Sequence, residues 1–281
     1  MTRIDSPERE FSYDWDDFES VRKLLYSRAG ISMADSKFQL VYSRLARRLR
    51  ALRLRSVSDY LNYLKSHSDE QEHFVNALTT NLTAFFREPH HFDVLARFLK
   101  EKAGRGRRFT LWCAAASTGE EPYSMAMVAL EALGDSPPVS IIATDIDSQV
   151  LQQARQGVYP AERCKGLSAD RLKRFCLRGR AGTPQQGMVK MRPALQRLIE
   201  FRTLNLLSSQ WAVQPPFDII FCRNVMIYFD KPTQRTLLER MVPMLLDDGL
   251  YIAGHSESFT NAGNLVRLVD RTVYVPVRRD K

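Results

Sequence analysis

The sequence predicts an α/β protein in which a small all-helical domain precedes a parallel, doubly wound sheet with helices on both faces. Residues 14–80 show helical periodicity and no strand pattern. From about residue 108, short apolar segments alternate with helical ones, as in folds built on a parallel sheet. The 281 residues suffice for two unequal domains, and a hydrophobic content of 44% is ordinary for a globular protein.

Four helices are expected in the first domain, residues 1–80. The first helix begins after Asp14 or Asp16 as its cap and ends at Gly30. The others are expected at residues 34–54, at 58–65 with Ser58 as the cap, and at 69–78.

The second domain, residues 81–281, alternates strands with helices. Strands are expected at residues 109–113, 140–144, 217–222, 250–254 and 272–276. Helices are expected at 122–133, from Asp147 to Gly157, and at 232–246, where Pro232 suits a first helical turn. Two further candidate strands, at 188–192 and 198–204, could pair with each other in antiparallel fashion. A plain surface excursion and a small docking module explain this piece equally well.

Charge and composition narrow the class of protein. Lys and Arg number 41 against 32 Asp and Glu, and the net charge of +9 favours nucleic acid, an anionic membrane or an acidic protein as partner. No apolar run approaches the roughly 18 residues of a membrane helix, and the start does not resemble a signal peptide, so the expected location is the cytoplasm. The cysteines form no CxxC pair and the histidines no HExxH motif, so no metal site is expected.

Small residues follow the first strand in the segment LWCAAASTGEEPY, residues 111–123. Such residues let the backbone approach a bound cofactor. Glu120 and Glu121 would repel a pyrophosphate at the helix start, but they suit the positive end of S-adenosylmethionine. The alternative interpretation is a capping box, formed by Ser117 with Glu120 or by Thr118 with Glu121.

Polar residues also follow two later strands. Asp145 ends the second strand, where an acid can bind both hydroxyls of a ribose, whereas Asp147 is better explained as a helix cap. Arg223, Asn224 and Tyr228 follow the strand at 217–222, at the edge where open α/β sheets bind ligands. A loop that satisfies its own hydrogen bonds is the alternative.

Two further segments carry polar patterns. Asn81, Thr83 and Arg87 lie among apolar residues between the domains, where an ordinary linker is the simpler interpretation. From Lys37 to Ser58 the chain has seven basic residues and no acid, which favours a docking surface for an anionic partner over a merely solvated face.

The motifs TNLTAFFRE, AAASTGEEPYS, ATDID, FDIIFCRNVMIYFDK and AGHSESF occur in this order. They resemble those of the CheR-type chemotaxis receptor methyltransferases, and the resemblance runs from about residue 18 to 277. It implies a helical N-terminal domain and a Rossmann-like methyltransferase domain with a small antiparallel β-subdomain inserted at about 175–204. The implied reaction moves a methyl group from S-adenosylmethionine to glutamate side chains of chemoreceptors, leaving S-adenosylhomocysteine.

The resemblance also implies the roles of individual residues. The residues at matching cofactor positions are Asn81, Thr83, Arg87, Glu120, Asp145, Asn205, Leu206, Cys222, Arg223 and Asn224. Arg87 and Tyr228 match the positions proposed to orient the substrate carboxylate. The expected receptor-docking residues on the basic helix are Arg44, Arg47, Arg48, Arg50, Arg53 and Arg55. The implied partner is the cytoplasmic helical domain of chemoreceptors, and a receptor C-terminal peptide is a second target, bound by the β-subdomain. The enzyme is expected to be monomeric. It is not expected to bind nucleic acid or to insert into membranes.

Three other functions fit the sequence less well. A nucleic-acid methyltransferase would suit the charge. Enzymes that methylate base amino groups usually carry an Asn/Asp-Pro-Pro-Tyr/Phe motif after the fourth strand. The similar sequence QPPF at 214–217 instead precedes the strand at 217–222. A serine hydrolase is disfavoured because GHSES at 254–258 lacks the final glycine of a nucleophile elbow and no histidine follows Ser256. A non-catalytic binder of S-adenosylmethionine is disfavoured by the presence of both Arg87 and Tyr228.

Overall fold

The computed structural model describes residues 9–104 and 106–277. The chain forms two compact units. One extends to Thr80 and includes Tyr228–Asp230, and the other comprises Asn81–Ile227 and the chain from Lys231 onward. Within the described residues, no helix has the length and apolarity needed to cross a membrane.

The first unit is helical, as predicted. Its helices are α1 (Trp15–Ala29), α2 (Phe38–Leu52), α3 (Val57–Ser66) and α4 (Ser68–Leu78). Asp14 caps α1 through a capping box with Asp17, and Gly30 ends the helix in the left-handed conformation at φ 68°. The buried residues Phe18, Val21, Leu45 and Leu49 contribute to the apolar interior of this unit.

Two helix boundaries in this unit differ from the predictions. Ser56, not Ser58, caps α3: its hydroxyl accepts a hydrogen bond from the Asp59 amide at 3.0 Å, and its backbone is extended as a cap requires. The second helix is shorter than expected because Asp35–Lys37 form a separate 3-10 turn, and Arg53 adopts a left-handed conformation at φ 56° that ends the helix.

The second unit contains a seven-stranded sheet. Its strands are β1 (Phe109–Cys113), β2 (Val139–Asp145), β6 (Ile199–Thr203), β7 (Phe217–Cys222), β8 (Leu245–Ala253), β9 (Val266–Asp270) and β10 (Val273–Pro276). The spatial order is β6-β2-β1-β7-β8-β10-β9. The strands from β6 to β8 are parallel, whereas β10 runs antiparallel to both β8 and β9. The predicted parallel core is confirmed, with an antiparallel pair added at one edge.

The helices of this unit are α5 (His90–Lys102), α6 (Glu120–Leu133), α7 (Ser148–Gln156), α8 (Ala169–Phe175), α9 (Pro193–Gln196) and α10 (Lys231–Met241). All residues from Glu120 to Leu130 in α6 are buried, which is typical of a helix enclosed within a core. The predicted extension of α10 to residue 246 is wrong. Pro243 lacks an amide hydrogen, the chain passes through the 3-10 turn Val242–Met244, and β8 then begins at Leu245.

A second, three-stranded antiparallel sheet has the order β3-β5-β4. It consists of β3 (Val158–Pro160), β4 (Cys176–Arg178) and β5 (Met188–Met191). The expected pairing of 188–192 with 198–204 is wrong, because β6 joins the main sheet in parallel with β2 and α9 separates it from β5. The inserted β-subdomain therefore uses strands between residues 158 and 191, and the expected limits of about 175–204 need this correction.

Candidate cofactor and active site

The carboxyl ends of β1, β2, β6 and β7 lie at the same edge of the main sheet. The strand order reverses between β1 and β7, since the chain proceeds from β1 to β2 in one direction and from β7 to β8 in the other. Such a switch point is where open α/β sheets bind ligands. The structure therefore brings together, at one edge, the strand-end residues that sequence reasoning selected.

Asp145 is buried at the end of β2. Its carboxylate accepts hydrogen bonds from the amides of Ser117, at 2.7 Å, and Asp147, at 3.0 Å. Burial raises the pKa of Asp145 to about 6, and these backbone donors offset only part of that effect. Asp145 thus joins the turns after β1 and β2 and presents an acid at the place expected for a ribose.

Asn81 adjoins the same turns. Its side-chain amide donates to Asp147 at 2.9 Å, and its carbonyl accepts a hydrogen bond from the Ser117 hydroxyl at 3.1 Å. Asp147 also accepts from the amides of Gln149 and Val150, so its predicted role as the cap of α7 is confirmed. Thr83 lies in the same segment and is partly exposed.

The two glutamates at the start of α6 have different partners. Glu120 is fully buried, accepts a hydrogen bond from the Thr118 hydroxyl at 2.7 Å and forms an ion pair with Arg163. Glu121 pairs with Arg223 and accepts a hydrogen bond from the Cys113 thiol. The N-cap is Gly119, and no side chain caps the helix, so the capping-box interpretation is wrong.

Buried ion pairs and hydrogen bonds hold the loop after β7. Arg223 is fully buried and contacts Glu121, Glu88 and the carbonyl oxygen of Arg87. Asn224 adopts a left-handed conformation at φ 57°, and its amide donates to Glu257 at 3.0 Å. Cys222 is the buried last residue of β7. The guanidinium of Arg223 is therefore committed to the protein interior.

Glu257 is a residue that sequence reasoning missed. It is buried and accepts hydrogen bonds from the amides of Asn224, Met226 and Gly254. A Cβ on Gly254 would lie 2.7 Å from the Asn224 amide nitrogen, so only glycine fits there. The sequence does contain an indication of this role, since Glu257 is the acid of the segment AGHSESF, in the short loop after β8.

Asn205 and Leu206 follow β6. The amide of Leu204 donates to the carbonyl of Asp145 at 2.8 Å, which keeps the chain beside the end of β2. The Asn205 side chain accepts a hydrogen bond from the Leu207 amide at 2.9 Å, and Leu206 is buried. Both residues therefore lie in the turn next to Asp145.

Arg87 and Tyr228 belong to different units. The Arg87 side chain donates one hydrogen bond, from Nη1 to the carbonyl of Leu82 at 2.9 Å, and has no carboxylate partner among the residues that the structure describes. Tyr228 groups with the helical unit, where its carbonyl accepts a hydrogen bond from the Ser32 amide at 2.8 Å.

The arginines of the basic helix divide into two groups. Arg44 donates to the carbonyls of Leu78 and Thr79, and Arg48 forms a bidentate pair with buried Glu70. Arg50 pairs with Glu10 at the surface. The remaining arginines are exposed and form no ion pair within residues 9–104 and 106–277; they are Arg47, Arg53 and Arg55. The acids that compensate this helix therefore come from elsewhere in the helical unit.

The residues present fit S-adenosylmethionine. The buried carboxylate of Glu120 has two protein partners, the Thr118 hydroxyl on Oε2 and Arg163 on Oε1, so it retains lone pairs for a further donor with a positive charge. Asp145 supplies a second acid at the adjacent strand end, and the residues after β1 are alanines. Within the described residues, no group of three or more His, Cys, Asp or Glu side chains could hold a metal ion.

A mixed sheet of this order, with acids instead of a phosphate-binding glycine loop after its first two strands, is the arrangement expected of an S-adenosylmethionine-dependent methyltransferase. Residues 16–79 match the family model "CheR methyltransferase, all-alpha domain". Residues 81–275 match "CheR methyltransferase, SAM binding domain". The chain belongs to the CheR methyltransferase family.

Relatives with similar sequences are chemotaxis enzymes by name. Chemotaxis protein methyltransferase 2 of Pseudomonas aeruginosa is 56% identical over 269 residues, which cover 95% of each chain. The chemotaxis protein methyltransferase of Escherichia coli is 49% identical over 260 residues, which cover 92% of this chain and 89% of the relative. That of Vibrio parahaemolyticus is 38% identical over 261 residues, covering 90% and 93%. This chain is accordingly an S-adenosylmethionine-dependent methyltransferase of chemotaxis.

Affinity for the cofactor is expected to rise as the pH increases through about 6. Ribose hydroxyls donate best to an ionised carboxylate, and with a pKa of about 6 only about a tenth of Asp145 is ionised at pH 5, against about nine tenths at pH 7. Calorimetric titration with S-adenosylhomocysteine should therefore give a Kd about tenfold weaker at pH 5 than at pH 7.

The Asp145→Asn variant is the control, and it should bind more weakly with a flatter pH profile. A Kd for the unsubstituted protein that does not change between pH 5 and 7 would contradict this role of Asp145. In the cofactor-free protein, the same ionisation lowers the stability of the fold. Because the folded pKa is raised, the stability contributed by the protonated carboxyl is lost as the pH rises from the ordinary pKa of Asp, about 3.9, to about 6, and does not change further above that.

Proposed function

We propose that this protein methylates glutamate side chains of chemoreceptors, forming glutamate γ-methyl esters and S-adenosylhomocysteine. The names of its relatives supply the chemotaxis context. The single observation that carries the substrate proposal is the guanidinium of Arg87, which has no carboxylate partner within the described residues. A fork of this kind suits a carboxylate substrate.

The chemistry needs no general base. A glutamate carboxylate has an ordinary pKa near 4.3, so it is ionised at neutral pH and is itself the nucleophile. When bound, S-adenosylmethionine supplies an electrophilic methyl group and a good leaving group. The residues of this chain then act by alignment and by exclusion of water, and alignment alone contributes up to about 7–11 kcal/mol.

Arg87 is proposed to orient the nucleophile. Its side chain donates a hydrogen bond from Nη1 to the carbonyl of Leu82, and its backbone carbonyl accepts a hydrogen bond from buried Arg223. The neighbouring residues Phe86 and Glu88 both have positive φ, at 53° and 58°, so this turn is sharply defined. The positive charge lowers the nucleophilicity of a carboxylate, and the gain from alignment must exceed that cost. Tyr228 is proposed as the second orienting residue.

Receptor docking is proposed for the exposed arginines of α2 and of the turn that follows it. Arg47, Arg53 and Arg55 are exposed and carry no ion pair within the described chain, whereas Arg44 and Arg48 are used inside the helical unit. An acidic receptor surface would therefore contact Arg47, Arg53 and Arg55. The proposed site of action is the cytoplasm, where a monomer reaches the helical domain of the receptor.

A receptor C-terminal peptide is proposed as a second target. The strand β4 is an edge strand of the three-stranded sheet, and Leu177 on it is exposed. Such an edge offers backbone groups that an extended peptide can pair with.

The nature of the product tests the proposed function. The protein is incubated with methyl-labelled S-adenosylmethionine and membranes that carry chemoreceptors, and the product is treated with mild alkali. We expect the label to be released as volatile methanol, since alkali hydrolyses a carboxyl methyl ester. Unlabelled S-adenosylhomocysteine should suppress the labelling. Label that stays in protein after alkali, or that lies in nucleic acid, would refute the proposal.

Reversing the charge of the exposed arginines should weaken docking. In the double variant Arg47→Glu, Arg55→Glu, we expect the KM for receptor-bearing membranes to rise about tenfold at low salt, with kcat unchanged. The double variant Lys23→Glu, Lys65→Glu makes the same change in net charge on the same unit and should leave KM within about twofold. Equal effects of the two double variants would show that only net charge matters.

A further inference from the structure

The segment that leads out of the three-stranded sheet contacts the turn in front of α6. It runs from β3 through the 3-10 turn Ala161–Cys164. The hydroxyl of Tyr159 donates to the carbonyl of Thr118 at 2.7 Å, and Arg163 donates to the Thr118 hydroxyl at 3.0 Å. Arg163 also forms an ion pair with Oε1 of Glu120. Two side chains of the β-subdomain therefore hold the turn that begins the cofactor site.

Arg163 is the cation that faces Glu120 among the described residues. The other titratable groups close to this carboxylate are Tyr159 and Cys164. Burial raises the pKa of Cys164 to about 11 and moves the pKa of Tyr159 well above its ordinary value, so both are neutral at physiological pH. Within residues 9–104 and 106–277, Arg163 thus carries the only opposite charge near a carboxylate that is 0% exposed.

The contact leaves Glu120 able to bind a further donor. Oε2 accepts a hydrogen bond from the Thr118 hydroxyl at 2.7 Å, and Oε1 is in ion-pair contact with Arg163. A carboxylate has about four lone-pair sites, so these two partners leave room for a further donor. Burial raises the pKa of Glu120, and the Thr118 hydrogen bond and the charge of Arg163 oppose that rise. Without Arg163, the buried carboxyl would more readily take up a proton and become a poor acceptor.

We propose that Arg163 is a positioning residue for cofactor binding, which keeps Glu120 ionised and orients its carboxylate toward a cationic group of the cofactor. The inference rests on the proposed role of Glu120 in holding the cofactor. It makes the β-subdomain a part of the cofactor site. About a third of the Arg163 side chain is exposed, at 34%, so the residue acts from the rim of the site on a carboxylate inside it.

The test uses the full-length variants Arg163→Met, Arg163→Lys, Glu120→Gln and the double variant Arg163→Met, Glu120→Gln. Calorimetry gives Kd for S-adenosylhomocysteine between pH 6 and 9. We expect Arg163→Met to weaken binding about tenfold at pH 7, and the ratio of its Kd to that of the unsubstituted protein to fall as the pH rises. Arg163→Lys keeps the charge and should stay within about threefold.

The double variant separates positioning from a structural role. In the Glu120→Gln background, Arg163→Met should change Kd by no more than about twofold, since its action passes through Glu120. The matched control is Arg174→Met, which removes a surface arginine of α8 paired with Asp135 and should leave Kd unchanged. Thermal unfolding of each cofactor-free variant confirms that it is folded.

The possible outcomes are distinct. If Glu120→Gln leaves Kd unchanged, the proposed cofactor role of Glu120 fails. If Glu120→Gln weakens binding but Arg163→Met does not, only the inference about Arg163 fails. If Arg163→Met weakens binding equally with and without Glu120, or with no pH dependence of the ratio, Arg163 supports the fold and does not position the acid.

Discussion

Replacing Arg87 with lysine should lower turnover on receptor by about tenfold, and replacing it with alanine by about 100-fold. Lysine keeps the charge but loses the planar fork that holds a carboxylate at two points, whereas alanine loses both. The Kd for S-adenosylhomocysteine should stay within a few-fold in both variants, because the acids at the ends of β1 and β2 are unchanged. Single-turnover rates and calorimetry measure the two effects separately.

A control for position is available on the same turn. Leu82 is 79% exposed, and only its backbone carbonyl binds Arg87, so Leu82→Ala should keep that hydrogen bond and the cofactor affinity. Turnover of Arg87→Lys equal to that of the unsubstituted enzyme on saturating receptor would refute the orienting role. A large loss of cofactor affinity in Arg87→Lys would assign Arg87 mainly to the cofactor.

Replacing Arg223 with methionine should destabilise the fold by about 3–5 kcal/mol at pH 7. Arg223 is 0% exposed and contacts two largely buried carboxylates, Glu121 and Glu88, so its removal leaves both without their cation. It also donates a hydrogen bond to the carbonyl of Arg87, which links this core network to the turn that carries Arg87. Denaturant unfolding of the cofactor-free protein measures the loss.

The pH dependence of this loss follows from Glu88. Burial alone would raise the pKa of Glu88, but the charge of Arg223 and the hydrogen bond from Asn224 outweigh it, so the pKa lies below its ordinary value. The unsubstituted protein therefore loses this contribution as the pH falls, whereas Arg223→Met gains stability at low pH because the buried Glu88 carboxyl becomes neutral. The difference in the free energy of unfolding between the unsubstituted protein and Arg223→Met should decrease toward pH 4.

Two variants sharpen the comparison. Arg235→Met removes an exposed arginine that pairs with Glu239 and should cost less than about 1 kcal/mol. Adding Glu121→Gln to Arg223→Met should recover part of the lost stability, since one unpaired charge is then removed. A loss for Arg223→Met as small as that for Arg235→Met would show that the buried network is not a major source of stability.

Much of the fold was predictable from local patterns. The strands β1 and β7 and the end of α7 at Gly157 lie where the sequence predicts them, because apolar runs, caps and a left-handed glycine act over a few residues. The candidate cofactor residues at the ends of β1, β2, β6 and β7 were located by motif and share one sheet edge in the structure. Their individual roles remain predictions.

The partners of buried charged groups could not be predicted. Arg48 looks like a docking residue in the sequence, yet its partner Glu70 lies on another helix. Arg223 looks like a ligand-binding residue, yet its guanidinium is buried between Glu88 and Glu121. Glu257 and Arg163 carried no strong local signal, although they hold the turns that form the site.

The sequence by itself determined the family, the order of helices and strands, and the positions of the acids that follow the strands. Only the tertiary structure decided that β6 joins the main sheet, that Glu121 pairs with Arg223 while Glu120 pairs with Arg163, and which arginines of the basic segment reach solvent. The reason is physical: caps and periodicity depend on neighbours along the chain, whereas the state of a buried charge depends on groups that only folding brings within a few ångströms.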